Sequence, residues 1–344
     1  MLEFDATTYG VAKWTVLLPA MSSPDELARQ LRAVARPCVS PDIANELLSY
    51  LRKAAAVGSP NTPEPLHLFV TAGGVEALAK AMKVNTPVFA EWPEGTSPAI
   101  DLAALQQEAA GVLNNLAAAA LAPGDQQSTI IKALREAELV PVLVATVDAF
   151  STRSQVLHRV LPALAQLTSV DAVIADQVAA SDAIRVVVRC MNEADESDAW
   201  IHCSATRILN LLLQRGDETK RALLHAGALA ATMRALNASA DETKLPKGFG
   251  FTKEQLRQKL AAMGAPLLQH LSSMVRETYK PGAKGTLQGL AARSDLNNAE
   301  ATLEKPKDAK EAESLLSKGR VKVQAGGECL AVKYSNLVMD VPIS

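Results

Sequence analysis

Five histidines and four cysteines are the side chains of this sequence best suited to hold a metal or attack a substrate. Their spacing argues against both uses. His67, His158, His202, His225 and His270 fall one per predicted helix, with no i, i+4 pair to set two imidazoles on one face. His202 and Cys203 are adjacent, so on a helix they diverge by about 100° and need outside ligands to share an ion. Cys38, Cys190, Cys203 and Cys329 are scattered with no C-x-x-C pair, which fits a reducing compartment better than a disulfide-bonded secreted fold. A Cys–His nucleophile pair needs no closeness in sequence, but no motif marks one.

The glycine-containing stretches do no better as phosphate sites. "PGAKGT" (281–286) lacks the first glycine and the G-K-[ST] ending of a phosphate loop. "KGFGF" (247–251) has two glycines where a dinucleotide fingerprint needs three after a strand. Both read as turns. The inventory therefore predicts a protein that is not an enzyme, with no metal and no cofactor.

Composition narrows the class further. Of 344 residues, 48% are hydrophobic and only 4% aromatic, an alanine- and leucine-rich balance that favours helices. A formal net charge of −2, with no long Lys/Arg run, does not suggest a nucleic-acid or anionic-membrane partner. No apolar run approaches the roughly 18 residues of a membrane span. "MLEFDATTYG" is acidic, unlike an Arg-rich transit peptide.

Helix punctuation is frequent. "SSPDEL" places Ser23 at a cap, Pro24 at the first helical position and Glu26 three residues on. "SPDIANELLSYLRKAAAV" repeats the start and puts Ile43, Leu47, Leu48 and Leu51 on one face. These predict an N-terminal helical hairpin over 23–57, after an extended arm at 1–22 and before the break "GSPNTPEP". From Leu66 a short, a medium and a long helix recur in that order. "LHLFVTAGG", "VEALAKAM" and the helix holding "EAAGVLNNLAAAAL" make the first round. "DQQSTIIKALREAEL", "VPVLVATVDAF" and "STRSQVLHRVLPALAQLT" make the second, and "DAVIADQVAAS", "DAIRVVVRCMN" and "SDAWIHCSATRILNLLLQR" the third. "DETKRALLHAG", "ALAATMRALNA" and "KEQLRQKLAAMGAPLLQHLSSMVRETY" complete a fourth. Asn115, Ala163 and Asn210 share one column, 48 and 47 positions apart (163 − 115 and 210 − 163), close to the roughly 40–47 residues of three-helix solenoid repeats.

Through "VTAGGVEALAKAM" with "EAAGVLNNLAAA", and through "LLHAGALAATMRAL", the chain resembles the armadillo family over roughly 66–278. The resemblance implies an all-α, right-handed superhelical solenoid of three to four repeats, with insertions at 84–98 and 239–252. It implies that the long helices line a concave groove, where Asn115 and Asn210 would hydrogen-bond a bound extended segment or cap a neighbouring carbonyl. Two departures stand out: Ala163 replaces the column asparagine, and Pro162 lies inside the second long helix. Import-type receptors of that family pair Trp with Asn at four-residue spacing, and the matching positions here are Gly111 and Thr206. HEAT-like solenoids are a near neighbour.

The alanines of "EAAGVLNNLAAAAL" then have a packing reason, since small side chains let stacked helices approach. Most aromatic residues lie outside the repeats. Trp14 falls in the N-terminal arm, Phe89 and Trp92 in the proline-bounded insertion "VNTPVFAEWPEGTSP", Phe249 and Phe251 in the second insertion, and Tyr334 near the C-terminus. Such residues either cover the open ends of the solenoid or anchor partner proteins. The region 279–344 is expected to be a polar linker with a short helix near 308–318, then an extended or hairpin-like tail around a Gly-Gly.

The expected role is a non-catalytic structural subunit, binding other protein subunits of a large assembly. Armadillo-like or helical-repeat subunits of ciliary axonemes and of the mitochondrial ATP synthase peripheral stalk offer analogies, leaving a mitochondrial inner-membrane-associated and a cytoplasmic or axonemal location open. The alternatives are a peptide-cargo adaptor and an enzyme without a recognisable motif.

Overall fold

The computed structural model describes residues 69–86 (without 72 and 85), 102–121, 124, 126–195, 198–238 and 252–339. The predicted arm at 1–22 and hairpin at 23–57 lie outside the described residues, as do nearly all of both insertions. The chain divides into two compact units, Met1–Ser181 and Asp182–Ser344.

In the first unit the helices are α1 (Gly74–Val84), α2 (Leu102–Leu121), α3 (Gln127–Glu136), α4 (Leu139–Ala149), α5 (Ser154–Val170) and α6 (Ala172–Ala180). Helices α2 and α5 form its most extensively packed pair. Ala109, Ala110, Leu113, Leu116, Ala117 and Ala120 of α2 are buried, as are Leu157, Val160, Leu161, Ala163 and Leu164 of α5. Short alanine side chains let the two axes close, and the leucines fill the gaps between turns. Helix α5 runs through Pro162, which sits on its half-buried side while its neighbours Leu161 and Ala163 are buried. The predicted glycine corner before α1 has two distinct causes. Gly73 has φ +76°, and a Cβ on Gly74 would lie 2.5 Å from the Phe69 carbonyl oxygen.

In the second unit α7 (Ala183–Glu193), α8 (Ala199–Leu212), α9 (Asp217–Ala226), α10 (Ala228–Ala238) and α11 (Lys253–Thr278) follow. Gly227, at φ +86°, turns α9 into α10. Helix α11 opens on a capping box, in which Thr252 and Gln255 each accept the other's backbone N–H, at 3.2 and 2.8 Å. It packs along α8 and α10. Among the described residues between 102 and 238, all regular structure is helical.

The all-α expectation is corrected beyond α11. The segment predicted as linker and tail folds into a five-stranded antiparallel half-barrel of order β4-β3-β2-β1-β5. Its strands are β1 (Lys284–Leu287), β2 (Glu300–Leu303), β3 (Arg320–Ala325), β4 (Glu328–Lys333) and β5 (Leu337–Met339), with α12 (Ala309–Ser317) between β2 and β3. Leu287, Ala301, Leu303, Val321, Val323, Ala325 and Leu337 alternate onto the buried face. Gly326 and Gly327, both at positive φ, make the two-residue turn between β3 and β4. Loop 288–290 is clamped twice. The Asn336 amide donates to the Gln288 and Gly289 carbonyls at 2.8 and 2.9 Å, and Asn297 accepts from Leu290 N–H at 2.8 Å and donates to its carbonyl at 3.1 Å.

The half-barrel folds back onto the last helices. Helix α12 packs on α10, and the turn 334–336 packs on α9. Tyr334, only 2% exposed, lies 4.9 Å from the Tyr279 ring at the end of α11. A repeat array needs its terminal apolar face covered, and this sheet does so for α9–α11.

Candidate interaction faces

Half-buried polar side chains line a face of α2 in the first unit and of α8 in the second. On α2 that face holds Gln107, Glu108, Asn114, Asn115, Ala118 and Ala119. Their spacing of three, four and seven marks one stripe of the helix. Asn115 is half-buried, next to Leu113, Leu116 and Ala117 of the buried face. Ala163 is fully buried and offers nothing to a ligand.

On α8 the stripe consists of Trp200, Arg207, Asn210 and Leu211. The step of seven from Trp200 to Arg207 rotates the direction by only about 20°, so these two residues share a face, with Asn210 beside it. Trp200 also packs with Met263 against Ala199, Cys203 and Leu256, which ties the stripe to α11. Burial pushes the Arg207 guanidinium below its ordinary range while the nearby Cys203 opposes the shift. Sequence reasoning singled out Asn210 and missed Trp200 and Arg207. The seven-residue step from Trp200 to Arg207 was the available signal.

The family's tryptophan position is empty at both asparagines. Gly111 and Thr206 are buried, so neither presents a side chain to an outside segment. Tyr334, read as either a cover for the solenoid or a partner anchor, is enclosed within the second unit. Trp14, Phe89, Trp92, Phe249 and Phe251 lie outside the described residues.

Cys190, Cys203 and His202 are buried in the packing of α7 and α8. Burial raises the Cys190 thiol to about 12, with Glu193 and Asp198 adding to it, and raises Cys203 to about 11. Both are protonated at neutral pH and poor nucleophiles. His202 is 3% exposed, with Nε2 3.2 Å from the Asp195 carbonyl oxygen. Among the described residues no group of three His, Cys, Asp or Glu side chains is placed to hold a metal, and no helix is long and apolar enough to cross a membrane. Among the described residues, open grooves of about 380 Å³ and about 450 Å³ lie beside α12 and along α11. The first mixes Asp308, Glu311, Lys310, Lys318 and Arg320, and the second is lined by a single helix.

No protein-family model matches the chain, and no curated protein matches it in sequence. Among solved structures it is similar to a computationally designed armadillo repeat protein for modular peptide recognition, at 19% identity and a TM-score of 0.45, over 73% of this chain and 92% of that one. It is also similar to an engineered protein at 18% identity and a TM-score of 0.44, over 77% of this chain and all of the other. A further designed armadillo repeat protein aligns at 17% identity and a TM-score of 0.37, over 73% and 98% of the two chains. The helical portion is armadillo-like on its own helix order, in which short, medium and long helices recur from α3 to α11.

Proposed function

We propose that this chain is a non-catalytic scaffold subunit that holds other proteins of a larger assembly against its long-helix faces. The observation carrying this reading is the division of side chains along α8. His202 and Cys203, the residues with chemistry to offer, point into the core, whereas Trp200, Arg207 and Asn210 remain on a half-exposed stripe. Trp and Arg are the residue types that dominate interface energetics, and a cation already partly desolvated loses less hydration on meeting a partner carboxylate. A polar, elongated strip of this kind suits a protein surface better than an enclosed small molecule. Assemblies such as a ciliary axoneme or a mitochondrial inner-membrane complex are settings in which such a subunit would serve.

Isolation of the native protein under mild salt, with mass spectrometry of what co-migrates, tests the proposal. The wild-type chain should co-elute with a reproducible set of subunits. Arg207→Glu should release them by roughly 30-fold in apparent affinity, with an unchanged helical melting curve. Elution of the native chain alone, at monomer mass, sinks the reading.

A further inference from the structure

The alanine-rich surface of α2 packs well but defines position poorly. Rows of small side chains form a nearly smooth ridge, so α1 could slide by one turn, about 5.4 Å, with little change in buried apolar area. The first unit contains a feature that opposes such a slide. Gln106 of α2, Thr86 just beyond α1 and Thr146 of α4 are all fully buried. Gln106 Nε2 donates to the Met82 carbonyl at 3.0 Å and to Thr86 Oγ1 at 3.1 Å. The Thr146 hydroxyl lies 3.3 Å from Gln106 Oε1. Each threonine hydroxyl also reaches a carbonyl of its own chain turn at 2.8 Å, Thr86 to Met82 and Thr146 to Val142. One amide thus meets three elements at a single point.

We infer that this cluster is a register pin: it selects which turns of α1, α2 and α4 face one another. A slide of one turn strands the Gln106 amide among apolar side chains, a cost that falls on every alternative register and not on the native one. The cluster's function is selection among packings, which a purely apolar core of similar volume would not supply.

The geometry makes a clean test possible. In Gln106→Leu both threonines keep their own-turn carbonyls, so no hydroxyl is left without a partner. That variant should keep the parental far-UV spectrum and a melting temperature within about 4 °C. Hydrogen exchange followed by mass spectrometry should then show peptides from 74–86 and 102–110 exchanging about tenfold faster, with two isotope envelopes. Thr146→Ser retains the hydroxyl and should exchange like the parent. Thr146→Val removes the hydroxyl whose single proton is shared between the Val142 carbonyl and Gln106 Oε1, and should lower the melting temperature, with Gln106→Leu restoring it in the double variant. Single envelopes at parental rates in Gln106→Leu overturn the inference. So does a Thr146→Ser variant as perturbed as Thr146→Val, since packing of the methyl group would then be the cause. If Gln106→Leu does not fold, the failure of the double variant to recover overturns it equally.

Discussion

The helices of the first unit and the half-barrel of the second bury apolar residues by opposite means. Between α2 and α5 the contact is spread over many small and medium side chains, none of which is unique. In the half-barrel, strands of three to six residues depend on a few specific ones: Gly285 under β5, Asn297 and Asn336 on one loop, and Tyr334 on Tyr279. A distributed contact absorbs substitution, whereas a contact built on single residues passes the loss to the whole sheet. The comparison teaches that local sequence pattern suffices for the first kind of structure, and that the second rests on long-range pairing.

Tyr334→Ala offers the largest break. Removing a buried aromatic costs about 3–5 kcal/mol, and here it also uncouples the sheet from α9 and α11. Amide exchange should accelerate across 284–339 while peptides from 139–170 keep parental rates. Acceleration confined to 334–336 would instead make the sheet as tolerant as the helices.

Gly285→Ala comes next. An added Cβ would sit 2.6 Å from the Val338 carbonyl oxygen, so β5 must move. A loss of about 1–3 kcal/mol is expected, read as an earlier denaturant midpoint for the C-terminal part. The control is Ala118→Ser on the half-buried side of α2, which should shift the midpoint by no more than about 0.5 kcal/mol.

Asp171 probes a single-residue dependence within the helices. Its carboxylate caps α6 through the Val173 and Ile174 N–H groups and accepts from Arg135 at 2.7 Å. Burial alone would raise its pKa, but the Arg135 hydrogen bond and the two backbone N–H groups together hold it below the usual carboxylate range. A folded pKa below the unfolded one means the stabilisation is complete above about pH 4 and disappears as pH falls through the folded value. Asp171→Ala should cost about 0.5–2 kcal/mol at neutral pH, and the gap from wild type should close in acid melts. A gap that persists at low pH would assign the effect to packing rather than to the charge.

The smallest effect is expected at the exposed Lys132–Glu136 pair on α3, where the charges are 4.0 Å apart. Lys132→Ala should change the melting midpoint by less than about 0.5 kcal/mol, within the scatter of replicate melts.

Much of the helical order was legible because each helix carries its own signals. The Gly73–Gly74 corner was read from the sequence, and Asp171 before "AVIADQVAA" and Thr252 with Gln255 likewise lie within four residues of the element they begin. The sheet was not legible, for a physical reason. "KGTL" and "EATL" give period-two alternation only two chances each, and β1 finds its partner β5 some fifty residues away. Mixed charge over 294–320 read as a solvated linker, although Lys322 of β3 meets Glu311 of α12 and Arg293 meets Glu328 of β4. Tyr334 was placed on a tail by the same reasoning. At the candidate faces, Asn115 and Asn210 were found from repeat spacing. The Gln106–Thr86–Thr146 cluster could not be, since three ordinary polar residues 20 to 60 positions apart carry no shared periodicity.

The strand order also sets a timetable for synthesis. On the ribosome, residues up to Val170 can emerge and stack while the rest of the chain is unmade, because α2 and α5 need only each other and their neighbours. Strand β1 leaves the exit tunnel early in the half-barrel but has one side uncovered until Leu337–Met339 follow. During that interval its backbone groups are open to any passing strand. A nascent chain stalled between residues 300 and 336 should therefore recruit holding chaperones, whereas one stalled soon after α5 should already resist protease.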